Sequence, residues 1–212
     1  MIKENQCPIT DEIFEKGYQI LLQNLSQGKL ITKKGSSFRQ ELVNILNSLV
    51  ESYEFTPKEK FEIKQSVEIV LSQVPTDKKQ NLCIADLMLN YSDHHINCNT
   101  VIDFKFFSQE KNREAEDRYW ALRNLYWLEL YKKEGIGNCY LILATDNPNM
   151  VFQEKYPEES ADFDCRDNTE YKAGKMMEFK NENPYADRFS LQQDYQFKWE
   201  KINELYFLKI KL

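Results

Sequence analysis

The sequence predicts an α/β fold, a mixed sheet built around a central acidic hairpin and flanked by helices. Three observations lead to it. Two apolar runs, Leu82 to Asn90 and Val101 to Phe107, alternate with the period of two that suits strands. A helical pattern over about Lys111 to Glu134 follows them, and a short apolar run, Cys139 to Ala144, follows that. Strand, helix, strand in this order makes a crossover, which is right-handed in nearly all proteins and would lay the last run parallel to the second strand of the hairpin.

The N-terminal part, residues 1 to about 75, reads as helical. Asp11 to Asn24 sets Ile13, Phe14, Tyr18, Leu21 and Leu22 near helical spacing, and Gly28 helps to end the segment. A Lys-Lys-Gly-Ser-Ser loop then leads into a second helix, capped by Ser36 or Ser37, whose stripe is Phe38, Leu42, Ile45, Leu46, Leu49, Val50 and Tyr53. That stripe needs a sheet or another helix to cover it. Thr56-Pro57-Lys58-Glu59 combines an N-cap, a first-turn proline and a capping-box acid, so a third helix is expected, with Ile63, Val67, Val70, Leu71 and Val74 in phase and Pro75 at its end. Ser66 to Ser72 also alternates well enough for a strand.

The hairpin carries the chemistry. Folded antiparallel about a turn between His94 and His95, it sets Asp86 opposite Asp103, with Lys105 on the face of Asp103. Ile84, Met88, Val101 and Phe107 are expected on that face, and Cys83, Ala85, Leu87, Ile102, Phe104 and Phe106 on the other, so both look covered. Opposed carboxylates destabilise a sheet, and charges are rarely buried unless paired or coordinated. A divalent cation between the aspartates would resolve the conflict.

Beyond the hairpin, Ala115, Tyr119, Leu122, Tyr126 and Leu130 mark the packing face of the long helix, widened by Trp120 and Trp127 and ended by Gly135 and Gly137. Residues 147 to 184 mix Pro, Asn, Asp and Glu and read as loops, with one short element near Met176 to Phe179. Tyr195, Phe197 and Trp199 alternate ahead of the apolar run Leu205 to Leu212, so the chain should close with a hairpin. The whole, residues 1–212, is expected to be one domain: a helical part to about 75, a core over about 81–146, and loops and a hairpin over 147–212.

From Asn81 to Asp146 the order acidic residue, hairpin, Asp-x-Lys, long helix, apolar strand resembles the PD-(D/E)XK nuclease superfamily, whose fold is the restriction endonuclease-like core. The resemblance implies that Asp86 and Asp103 hold one or two Mg²⁺ (or Mn²⁺) ions and that Lys105 positions or activates the attacking water. Ala85 stands where a proline often precedes the first acid, and Asp103 replaces the commoner Glu. Glu41, on the second helix, would be a third carboxylate, as many such nucleases draw one from an N-terminal helix. The implied activity is DNA endonuclease of the restriction type, and a homodimer would address both strands. A catalytically silent nucleic-acid-binding or assembly module on this fold, and an RNA-directed nuclease, stay open.

A formal charge of −6 argues against binding nucleic acid by bulk electrostatics, so a local basic rim is needed. Lys29, Lys33, Lys34, Arg39, Lys78, Lys79, Lys111, Arg113, Arg118 and Arg123 are its candidates. The adjacent histidines, in the hairpin turn, are expected at the surface and away from the aspartates. No phosphate-binding glycine loop, nucleotide fingerprint or Cys-x-x-Cys pair occurs, which counts against an NTPase, a dehydrogenase and structural zinc. The odd count of five cysteines argues against a disulfide scaffold. No apolar run reaches the roughly 18–20 residues of a membrane span, and the polar start Met1-Ile2-Lys3-Glu4-Asn5 is unlike a secretory signal, so a cytoplasmic protein is expected.

Overall fold

The computed structural model describes residues 8–30, 35–72, 81–111, 113–180 and 188–212. Two helices open it, α1 (Pro8–Ser26) and α2 (Gly35–Ser52). Strands β1 (Lys60–Val70), β2 (Leu82–Ser92) and β3 (Asn97–Phe107) follow as an antiparallel meander. Helix α3 (Glu114–Lys133) then crosses over to β4 (Asn138–Thr145), which lies parallel to β3. After α4 (Pro148–Phe152) come four two-residue strands: β5 (Glu170–Tyr171), β6 (Met176–Met177), β7 (Phe189–Ser190) and β8 (Tyr195–Gln196). The chain ends in β9 (Glu200–Ile202) and β10 (Leu205–Lys211). The main sheet has the order β1-β2-β3-β4-β10-β9, so the expected mixed α/β sheet is present.

Apolar clusters cover both faces of this sheet. On one side Phe14, Leu21, Phe38, Leu42 and Leu46 of α1 and α2 meet Leu87, Leu89, Ile102, Phe104, Tyr140, Ile142 and Phe207. On the other, Tyr119, Leu122, Leu125, Leu128 and Tyr131 of α3 meet Val101, Phe107, Cys139, Leu141, Leu143 and Ile210. Strand β4 is buried along its whole length because it lies between both helical layers, which is why it reads as a continuous apolar run.

The expected third helix is a strand. Its start does form: Glu59 Oε2 accepts from Thr56 N and from Thr56 Oγ1, both at 2.8 Å. One turn later the chain extends. The β-branched Ile63, Val67 and Ile69 and the period of two from Phe61 favour a strand once β2 offers its edge. The closing hairpin is also shorter than expected. β9 and β10 form it and extend the sheet beside β4, while Tyr195 pairs with Tyr171 in a separate ribbon.

The described residues 146–180 and 188–200 pack on α3 instead of lying free. Met150, Val151, Phe163, Cys165, Tyr171, Met177 and Phe189 join its cluster, so α3 is buried well beyond the predicted stripe. Arg118 and Arg123, expected on a basic rim, are 1% and 0% exposed. The Arg118 guanidinium lies 3.7 Å from the Tyr156 ring centroid and donates to Ser160 Oγ at 2.9 Å. Glu129, also buried, accepts from Gln192 N, Gln193 N and Tyr195 OH, which ties this segment to α3 through charge-assisted bonds. Cys83, Cys139 and Cys165 are buried free thiols, whereas Cys98 is disulfide-bonded, a single cross-link where no disulfide framework was expected. Among the described residues no helix is long and apolar enough to cross a membrane.

Candidate functional site

The hairpin forms in the register its sequence predicts. Leu87 pairs with Ile102, Met88 with Val101 and Leu89 with Thr100, around the loop Asp93 to Ile96, where Asp93 Oδ1 accepts from His95 N and Ile96 N. His94 and His95 are exposed there. The ladder stops at Leu87↔Ile102, one step short of the aspartates.

What ends it is a twist in the neighbouring ribbon. β1 and β2 pair Gln65 with Leu87 and Val67 with Ala85, skipping Ser66 and Asp86 between them, and Ser66 adopts a left-handed φ of 53°. On one side of this break Ile63, Leu87 and Leu89 face α1 and α2. On the other, Val67, Ile69, Cys83 and Ala85 face α3. The odd-numbered residues therefore change faces at Asp86. β3 has no such break, since Ile102, Phe104 and Phe106 all stay with α1 and α2. The two-face pattern expected for β2 thus fails beyond Asp86, and Ile84 is 61% exposed instead of covered.

The aspartates bridge the resulting split. Phe104 N donates to Asp86 Oδ2 at 2.9 Å, and Asp86 N donates to Asp103 Oδ1 at 3.0 Å. Each carboxylate takes a backbone donor from the opposite strand, so a buried N–H that has lost its ladder partner is still satisfied. Lys105 Nζ stands 3.0 Å from Asp86 Oδ2, and Arg39 Nη1, from α2, stands 2.7 Å from Asp86 Oδ1. Asp86, Asp103, Lys105 and Arg39 therefore form one cluster.

Exposure grades across it. Asp103 is 1% exposed, the Asp86 side chain 17% and that of Lys105 33%. Tyr131 and Cys139 lie close to Asp103. Burial, with Asp103 and Cys83 adding to it, raises the Tyr131 phenol. Burial likewise pushes the Cys139 thiol up to about 12, with nearby Lys132 pulling it down and Asp103 adding to the rise. Neither group ionises near neutral pH, so the polar work falls to the four residues above.

Other predicted residues lie elsewhere. Glu41 is two residues, about 200° of helix rotation, from Arg39 and lines a groove of α1 and α2 with Ile20, Asn44, Ile45, Ser48 and Leu49. Arg113 precedes α3 and pairs weakly with Glu116 and Asp117 at 3.7 and 4.0 Å. Lys29 is exposed beyond α1, and Lys111 ends a 3-10 turn before α3. Lys33, Lys34, Lys78 and Lys79 lie outside the described residues. Among the described residues no three His, Cys, Asp or Glu side chains converge on a metal-sized site. The pair Asp86 and Asp103 still suits Mg²⁺, which takes one or two carboxylates and completes its shell with waters and phosphate oxygens. Comparison with protein-family models, with curated proteins and with solved structures finds no match.

Proposed function

We propose that the protein is a metal-dependent nuclease, a DNA endonuclease of the restriction type on a restriction endonuclease-like core. The observation that carries this reading is the convergence of Asp86, Asp103 and Lys105 where β2 and β3 part. The helix crossover from β3 to the parallel β4 supports it, because it supplies the strand–helix–strand setting that three degenerate motif residues lack by themselves.

Asp86 and Asp103 would hold Mg²⁺ or Mn²⁺, which supplies Lewis-acid stabilisation of the phosphorane-like charge and a more acidic water. Asp86 Oδ1 is the oxygen open to exchange, since a partly exposed side chain holds it, while Oδ2 is fixed by Phe104 N and Lys105. Lys105, a point charge on a flexible stem, would hold the attacking water or a non-bridging phosphate oxygen in line. A symmetric pair of such centres would cut both strands of a duplex, which makes a homodimer on DNA part of the proposal.

One observation favours a second reading. Both Asp86 oxygens and Asp103 Oδ1 already accept bonds from within the protein, as they would in a silent binding or assembly module that uses the acids to tie split strands. Incubation of the pure protein with supercoiled plasmid separates the two. The nuclease reading expects nicking or linearisation with Mg²⁺ or Mn²⁺ and none with EDTA. No cutting of plasmid or of single-stranded RNA with Mn²⁺ at high protein concentration would leave the binding module.

A further inference from the structure

The two oxygens of Asp86 are held in unlike ways. Oδ2 takes a main-chain N–H of β3 and the ammonium of Lys105, both on a stretch of β3 laddered to β4. Oδ1 takes Arg39 alone among the contacts of the described residues. The Arg39 side chain is 36% exposed, and of its five N–H groups one is engaged with Asp86. Its anchor is firm nonetheless. The start of α2 sits so close to β3 that a Cβ on Gly35 would lie 2.8 Å from Phe106 Cβ, and Phe38 stacks between Phe104 and Phe106. A helix end packed closely on β3 thus presents a long, partly exposed cation to the one Asp86 oxygen that, among the described residues, no backbone donor holds.

Resting on the nuclease reading, the geometry points to Arg39 as an exchangeable counter-ion of that site. It neutralises Asp86 Oδ1 in the metal-free protein, yields that oxygen to the divalent cation, and turns its fork to a backbone phosphate of the nucleic acid. Two cations at one carboxylate oxygen repel, so metal and Arg39 compete for it. A guanidinium displaced from a carboxylate retains the planar fork that matches a phosphate. The role is positioning: Arg39 acts on the metal through Asp86, and on the substrate through its phosphate.

Mn²⁺ binding followed by the loss of the free-ion EPR signal tests this without turnover. Arg39→Gln should bind Mn²⁺ several-fold more tightly than the wild type, because the competing charge is gone. It should bind duplex DNA more weakly in Ca²⁺, with the slope of log affinity against log salt smaller by about one. Arg39→Lys keeps the charge and should leave Mn²⁺ affinity near the wild-type value. If Arg39→Gln does not fold, Arg39→Met provides the same neutral test with the methylene packing kept. A purely structural tie predicts the reverse, looser Mn²⁺ binding and an unchanged salt slope, and that result overturns the proposal. If the wild type binds Mn²⁺ and the neutral variant binds it no more tightly, Arg39 is not exchangeable although the nuclease reading stands. If neither binds Mn²⁺, the metal site falls and this role with it.

Discussion

Asp86 and Lys105 touch, yet the proposed nuclease chemistry would give them separable jobs. Asp86→Asn halves the formal charge available to a cation, so metal binding and cleavage should fall together. Lys105→Ala removes a neighbouring positive charge and no ligand, so metal affinity should hold or rise while cleavage drops by about 10²–10⁴, the range for a positioned proton-handling group. Plasmid nicking rates at saturating Mn²⁺, beside an EPR titration of each variant, read the two effects. Wild-type cutting by Lys105→Ala would remove it from the chemistry. These residues were legible because a strand pattern fixes parity, and the parity with the turn position fixes which side chains oppose each other. In the sequence Arg39 is one of ten candidate basic residues, with nothing to single it out. Its meeting with Asp86 spans 47 positions and depends on how α2 docks on the sheet, which no local pattern encodes. Arg118 and Arg123 fail in the opposite sense: nothing in α3 itself tells that a later segment will bury them.

At the scale of elements, β1 was the piece that misled. Thr56 to Glu59 is a real capping turn, and although the odd-numbered run Phe61, Ile63, Val67, Ile69 keeps its period across the face change at Ser66, polar Gln65 interrupts it. Ile63, Val67, Val70 and Leu71 then mimic a helical stripe although Val70 is 63% exposed. That same face change splits β2 from β3 and opens the gap the aspartates fill. The conformation of Ser66 is therefore a structural requirement of the site. Ser66 is exposed, so its substitution tests backbone alone. Ser66→Gly should be neutral or slightly stabilising, because glycine enters the left-handed region freely. Ser66→Val should cost about 1–2 kcal/mol, since a β-branched residue resists that region. Urea denaturation measures both, and equal stability of the Val and Gly variants would show that the left-handed turn is not what the ribbon needs.

For the whole molecule, the sheet divides the core into two apolar layers, and the cluster of Asp86, Asp103, Lys105 and Arg39 sits where β2, β3 and α2 must all be in place. A ligand that binds only this assembled arrangement stabilises the entire fold by mass action. Under the metal-site reading, Mn²⁺ at about 100 times its Kd should contribute about 2.7 kcal/mol. That Kd already includes the cost of parting Arg39 from Asp86, an ion pair which at its partial exposure is worth only about 0–1 kcal/mol. For a chain of this size, about 2–4 °C per kcal/mol, the melting midpoint should rise by roughly 5–11 °C, by calorimetry or tryptophan fluorescence. Asp86→Asn should abolish most of the rise, and Arg39→Gln should show at least the wild-type rise at lower Mn²⁺. A midpoint that stays put from EDTA to saturating Mn²⁺ would mean that the acids serve only to tie β2 to β3. In that case Asp86→Asn, having lost a charge-assisted partner for Arg39 and Lys105, should itself melt lower than the wild type in EDTA.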